Sequence, residues 1–166
     1  MVNIQELRDE ILNDPLNLGY AQYLPSSPGW VVSLLNAPNL LLVKEKYVTV
    51  RTLLAQLGVL GAIIAEKLSQ FGNDDTVYEE QEVQGLKLAT KWAMKFIDSD
   101  GQGLDLGHVN TQTMIDGLLD ISVLTSTEAA ALKNLAMQSS SRAEQLFGVN
   151  TQVTLAQVAE ALNGNV

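Results

Sequence analysis

Cysteine is absent from the chain. Disulfides and thiolate metal sites are therefore excluded, and a cytosolic origin is favoured over that of a secreted protein held together by disulfide bridges. Basic residues are scarce: 10 Lys and Arg stand against 19 Asp and Glu, for a net charge of -9 and a pI near 4.4. A field of that sign repels phosphate backbones, and the basic residues are scattered rather than gathered into a patch, so no nucleic-acid partner is expected. Long apolar runs are missing too. None reaches the ~18 residues that a membrane span requires, and the nearest candidate, Leu53 to Ala65, contains Gln56, Gly58 and Gly61. The opening residues, Met1 to Arg8, lack the basic and apolar regions of a signal peptide. No membrane association is expected.

Catalytic motifs are equally scarce. The chain has no Gly-x-Ser-x-Gly elbow, no His-Glu-x-x-His, no P-loop, and no Gly-x-Gly-x-x-Gly following a strand. Gly101-Gln102-Gly103 runs into Leu104-Asp105-Leu106, which leaves out the third glycine of a dinucleotide turn. His108 is the single histidine, and at a helix start it reads as a structural or solvent-facing residue. The acidic run Glu79-Glu80-Gln81-Glu82 is explained by the macrodipole at a helix N-terminus. The expectation is a protein that is no enzyme, with no cofactor and no small-molecule substrate.

What is present is the chemistry of a helical core. The 46% hydrophobic content over 166 residues supports a domain that needs no staples. Asn3 is placed to cap a helix over Ile4–Asn13, with Glu6 at capping-box spacing and Ile4, Leu7, Ile11 and Leu12 on one face. Asp14-Pro15 ends it, because the residue before a proline is pushed out of the α region. An arm follows to Gly29, stiffened by Pro15, Pro25 and Pro28, and then a short helix from Trp30 to Leu35. Asn39–Val50 reads two ways: Leu40–Val43 and Tyr47–Val50 are β-like, yet Lys44-Glu45-Lys46 between them suits a turn or helix, and Val48-Thr49 is read as an extended lead-in to a helix over Leu53–Phe71 capped by Thr49 or Thr52. Gly58 and Gly61 in that helix point to close approach of another helix. Further helices are expected over Glu79–Asp98, Val109–Leu119, Ser126–Leu146 and Leu155–Leu162. Ser139-Ser140-Ser141 inside the Ser126–Leu146 span is unusual, and points to a bend or a polar contact with another subunit. Val109-Asn110-Thr111-Gln112 recurs as Val149-Asn150-Thr151-Gln152, which is read as helix-start chemistry rather than a duplication.

The predicted fold is thus mainly α: a compact helical bundle with an extended Pro-containing N-terminal arm and at most a minor β element. Residues 1–38 hold the first helix, the arm and the short helix; residues 39–166 form the bundle, and the two together make one domain. Leu57, Leu60, Ile64, Trp92 and Phe96 are the expected core. Tyr20, Tyr23, Leu24 and Trp30 are the candidate interface, because a free linker is normally polar and this arm is not.

One local motif suggests a metal. Asp98-Ser99-Asp100-Gly101-Gln102-Gly103-Leu104-Asp105 places Asp98, Asp100 and Gln102 at the first, third and fifth positions of a calcium loop, with glycine at the sixth. Val109 stands at the twelfth position, where a bidentate glutamate is needed. The preferred reading is a polar turn and no metal; a calcium- or ligand-binding module using Asp98, Asp100, Gln102 and Asp105 is the alternative.

The stretch Leu7-Arg8-Asp9-Glu10-Ile11-Leu12-Asn13-Asp14-Pro15-Leu16-x-x-Gly19-Tyr20-Ala21 resembles the N-terminal signature of small, uncharacterised virion-associated proteins of tailed bacteriophages. Leu124-Thr125-x-x-Glu128, Ser141-Arg142-Ala143-Glu144-x-Leu146-Phe147-Gly148 and Val153-Thr154-x-x-Gln157-Val158-Ala159-x-Ala161-Leu162 are similar to the same group. The resemblance implies a structural protein of the virion, in head, neck, tail or fibre attachment. It would be made in the host bacterial cytoplasm and partnered by other copies of itself and other virion proteins. The group carries no catalytic residues to transfer.

Overall fold

The structure is a computed structural model that describes residues 1–98 and 102–164. It is mainly α, 63% helix against 7% strand, as the sequence predicts. In chain order the elements are α1 (Ile4–Asn13), a 3₁₀ turn (Tyr20–Tyr23), α2 (Pro28–Asn36), β1 (Leu40–Val43), β2 (Tyr47–Val48), α3 (Val50–Leu57), α4 (Val59–Asn73), α5 (Gln81–Asp98), β3 (Leu104–Asp105), α6 (Val109–Asp120), α7 (Ser126–Ala136), β4 (Met137–Ser140), α8 (Arg142–Phe147) and α9 (Leu155–Asn163). Strand β1 pairs with β4, and β2 pairs antiparallel with β3, Tyr47 opposite Asp105 and Val48 opposite Leu104.

The chain divides into two units, Met1–Leu42 with Gln138–Val166, and Val43–Met137. This differs from the expected division at 38/39. The reason lies in the C-terminal segment: Ala143, Val153, Val158 and Ala161 complete an apolar core with Leu7, Ile11, Tyr20, Val31 and Leu35. The first two helices bury their apolar faces against the last two, so both ends of the chain belong to one unit.

In this terminal unit the first helix starts as predicted. Asn3 Oδ1 accepts the N–H groups of Gln5 and Glu6 at 3.0 and 3.2 Å. Asp14, in left-handed conformation with φ 42°, closes the helix. Its carboxylate accepts three backbone N–H groups of the arm, from Leu18 at 2.6 Å, Gly19 at 2.7 Å and Tyr20 at 3.3 Å. Gly19 sits at φ +87°, a region that L side chains rarely adopt, which lets the chain turn back over Asp14. The Asp14-to-Tyr20 motif is therefore a self-closing turn, and it drives Tyr20 into the core. The arm is ordered against the helices of its own unit.

Tyr20 meets a buried ion pair there. Glu10 Oε1 and Oε2 accept from Arg142 Nε at 2.8 Å and Nη2 at 2.7 Å, and Tyr20 Oη donates to Glu10 Oε1 at 3.2 Å. Burial, and then the Glu10 charge, push the Tyr20 phenol well above its ordinary range. The Glu10 hydrogen bonds hold Arg142 still more firmly in its charged form.

The central unit departs from the predicted continuous helix. At Gly58 the backbone takes φ 58° and ψ -129°, so Leu53–Phe71 is two helices, α3 and α4. A reciprocal capping box starts α3: Thr52 N–H donates to Thr49 Oγ1 at 3.3 Å, and Thr49 N–H to Thr52 Oγ1 at 2.6 Å. Of the two expected caps, Thr49 is the cap and Thr52 is its partner at the third helical position. The break lets α3 fold back on α4, and a Cβ at Gly61 would collide with the Leu53 carbonyl. Close approach of a helix is what that glycine serves.

The core of this unit gathers Val48, Leu53, Ile64, Leu68, Phe71, Met94, Ile97, Leu106, Ile115, Leu118, Leu124 and Leu132. Ile64 is fully buried as expected, and Leu57 and Leu60 pack against the core while only partly buried. Trp92 and Phe96 are not core; each is 58% exposed. Helix α5 instead buries Lys87, Thr90, Ala93, Met94 and Ile97. Two polar members hide that face from a hydrophobicity pattern. Lys87 Nζ donates to the Thr76 carbonyl at 2.6 Å, and Thr90 Oγ1 to the Leu86 carbonyl at 2.9 Å.

The predicted Ser126–Leu146 helix is interrupted as well. It ends at Ala136, strand β4 follows, and Ser141 caps α8: Glu144 N–H donates to its Oγ at 3.1 Å, and Ser141 N–H to Glu144 Oε2 at 3.0 Å. The serine run is a strand end and a helix cap.

Thr125 and Glu128 form the box that starts α7, and Lys67 Nζ donates to both Glu128 oxygens at 2.8 and 2.9 Å. The Lys67 hydrogen bond, then the Thr125 N–H, hold the Glu128 carboxyl below its ordinary value of 4.5. A depressed carboxyl contributes stability above its unfolded value and loses it as pH falls through the folded one. Glu128→Gln is expected to destabilise this unit by about 1 kcal/mol at neutral pH, since Lys67 is part-exposed. Urea unfolding of both forms should show that difference shrinking as the pH drops below the carboxylate range.

Candidate functional site

The calcium-like loop does not come together as a ligand set among the described residues. Asp98 is the last residue of α5, and Gln102 is exposed. Asp100, with Ser99 and Gly101, lies outside the described residues. Asp105 Oδ1 is occupied by two backbone donors, Lys46 N–H at 2.8 Å and Gly107 N–H at 2.9 Å. The glycines have a packing cause. A Cβ at Gly103 would strike the Val48 carbonyl, and one at Gly107 the Lys44 carbonyl, so this segment lies against the backbone of β2 and the residues just before it. Val109, at the twelfth position, opens α6. No group of three or more His, Asp or Glu among the described residues is placed to hold a metal.

His108 is the N-cap of α6, its Nδ1 accepting the Asn110 N–H at 3.2 Å. The repeated Val-Asn-Thr-Gln tetrads are not equivalent. Val109–Gln112 is the first turn of α6, whereas Asn150 sits at φ 64° in a turn before α9. Neither asparagine is a cap.

Of the four predicted interface residues, the structure separates one from the other three. Tyr20 is fully buried in its own unit, because its hydroxyl is held by Glu10 and its amide by Asp14. It is no surface residue. Tyr23 and Leu24 are half-buried, and Trp30 is 61% exposed. The Tyr23 and Trp30 rings stack with centroids 5.9 Å apart and planes 24° apart. Ser27, Gly29, Trp30 and Ser33 line a shallow hollow of 250 Å³ beside them. This stack is a small, pre-ordered aromatic patch.

The larger exposed surface is one that the sequence pattern assigns to the core. Along the outer side of α5, Leu88, Trp92 and Phe96 follow one another at helical spacing, and all three are exposed. Lys95 Nζ lies 3.9 Å from the centroid of the Trp92 ring, which fixes the indole on the helix surface. At the start of the same helix, Glu80, Gln81, Glu82, Val83 and Leu86 meet Gly117, Asp120 and Ile121 of α6 and its end around a cleft of 570 Å³. Its rim is acidic and its floor apolar. The sequence does carry a signal for the exposed face. The i, i+4, i+8 spacing of Leu88, Trp92 and Phe96 is out of phase with Val83, Leu86, Ala93 and Ile97.

Comparison with known proteins returned no matching family model, no similar curated protein and no similar solved structure.

Proposed function

We propose that this chain is a non-catalytic assembly protein that works through protein–protein contacts in an oligomer, as a structural component of a tailed-phage virion. The observation that carries the assembly part is the exposed face of α5. Two large aromatics and a leucine on one side of a helix are a costly surface to leave in water, and contiguous patches of that kind mark interaction sites. The stacked Tyr23 and Trp30 provide a second aromatic surface in the other unit. Aromatic anchors of this type dominate the energetics of protein interfaces.

The virion part is supported by the residues quoted for the resemblance. Much of its N-terminal stretch has a folding role here, in the Asp14 turn and the Glu10–Arg142–Tyr20 contact. A related chain would need the same turn to fold. Head, neck, tail and fibre attachment are all compatible with this reading, with synthesis in the host bacterial cytoplasm and other virion proteins as further partners.

Multi-angle light scattering of the purified chain at tens of micromolar is expected to give a mass above that of one 18.0 kDa chain. A monomer under those conditions would overturn the assembly reading.

A further inference from the structure

We infer that two copies of this chain associate through α5 in an antiparallel, two-fold arrangement; the inference rests on the assembly reading and specifies its first contact. Gly85, Leu88, Ala89 and Trp92 are all exposed, and they stand at i, i+3, i+4 and i+7 on one side of the helix. Such residues form a diamond on a helix surface. A two-fold axis over its centre brings the two diamonds together antiparallel: Trp92 of one copy faces Gly85 of the other, and Leu88 and Ala89 each come beside their own symmetry mates. The largest side chain of the diamond then meets the smallest.

Gly85 is otherwise unexplained. Glycine within a helix weakens it, yet a Cβ built at Gly85 meets nothing within 4 Å in its own chain. Gly61, Gly72 and Gly117, the other glycines inside helices of this unit, all face a neighbour that a Cβ would touch. The space over Gly85 lies outside the chain, and an indole fills it.

Charge sets the direction. Glu82 is in the first turn of α5 and Lys95 in the last. The same axis that pairs Gly85 with Trp92 brings Glu82 of one copy opposite Lys95 of the other, twice by symmetry. A parallel pairing would set like charges together at both ends. An isologous contact of this kind closes on itself and repeats every favourable pair. It also places α5 of the second copy against a helix of opposite polarity, so the two macrodipoles run antiparallel.

Charge reversal tests this. Glu82→Lys alone sets positive charge against positive at both ends of the pairing. Lys95→Glu alone sets negative against negative at the same two places. Each single variant, checked for wild-type helicity by circular dichroism, is expected to weaken self-association at least about tenfold in sedimentation velocity. An equimolar mixture of the two is expected to regain wild-type association, because in a mixed pair both contacts between positions 82 and 95 again join opposite charges. Trp92→Ala should weaken association without any rescue by mixing. If the wild type is oligomeric and neither charge variant changes its mass, the α5 pairing is wrong and the assembly reading survives through another surface. If the wild type itself is a monomer, both fall.

Discussion

Replacing Arg142 with alanine is expected to destabilise the terminal unit by about 3–5 kcal/mol, a large effect for a single polar substitution. The guanidinium grips both Glu10 oxygens from a position 132 residues away in sequence. Glu10 is on the first helix and Arg142 starts α8, so the pair ties the two segments of this unit together. Its side chains are nearly out of solvent, with Glu10 at 3% and Arg142 at 16% exposure. Removing the arginine leaves a buried carboxylate with, among the described residues, the Tyr20 hydroxyl as its remaining hydrogen-bond partner. Removing both charges should hurt less than removing one, since the attraction in a buried pair is offset by the desolvation of both ions. The double variant Glu10→Gln, Arg142→Met is therefore expected to recover a substantial part of the loss. Urea unfolding of wild type, both singles and the double closes the cycle. A loss under about half a kcal/mol for Arg142→Ala would mean that water or another group takes over the carboxylate.

That ion pair also marks where the sequence is readable and where it is not. Local signals are plain. Asn3 stands where its cap is expected, and α1, α5, α6 and α9 run within a residue or two of the predicted spans. Leu40–Val43 and Tyr47–Val48 are strands within the two β-like stretches, whereas Thr49 and Val50 already cap and open α3. Signals that depend on a distant partner are not readable. Glu10 sits among the polar residues of an amphipathic helix, and nothing near it announces Arg142. The break at Gly58 lies inside an apolar stretch that continues on both sides, so the periodicity runs straight through it. Thr52 in place of a glutamate at the third helical position disguises the box that starts α3. Strand β4, Met137-Gln138-Ser139-Ser140, has little β propensity and owes its conformation to pairing with β1. For the candidate surface, Tyr23 stands out inside a Pro-containing arm and Trp30 at its end. Trp92 does not, because a tryptophan in an amphipathic helix counts toward the core unless the opposite face can be seen to be complete.

Ile64 and Trp92 make opposite predictions, although the pattern of hydrophobicity treats them alike. Ile64 has no exposure and lies in the centre of the central unit, with Leu53 and Leu68 in the same cluster. Ile64→Ala deletes buried methyl and methylene groups and leaves a cavity that packed helices relax into only partly, so a loss of about 2–5 kcal/mol is expected. The neighbouring backbone leaves little freedom to collapse, because Gly61 one turn earlier already holds α3 against α4 at the closest approach its missing side chain allows. Trp92 is the larger side chain, and as a core residue its truncation would cost about 3–5 kcal/mol. Set on the outer face of α5, it should cost within about half a kcal/mol in a dilute, monomeric sample, apart from the contact it makes with Lys95. The same substitution should lower the concentration-dependent part of the stability, because an oligomer is stabilised by mass action. Thermal unfolding of both variants over a range of protein concentrations separates the two effects. Ile64→Ala should shift the transition by the same amount at every concentration. Trp92→Ala should shift it only where the wild type is associated. Equal losses for the two variants in dilute solution would place Trp92 in the chain's own core and remove the exposed face of α5 as a docking surface.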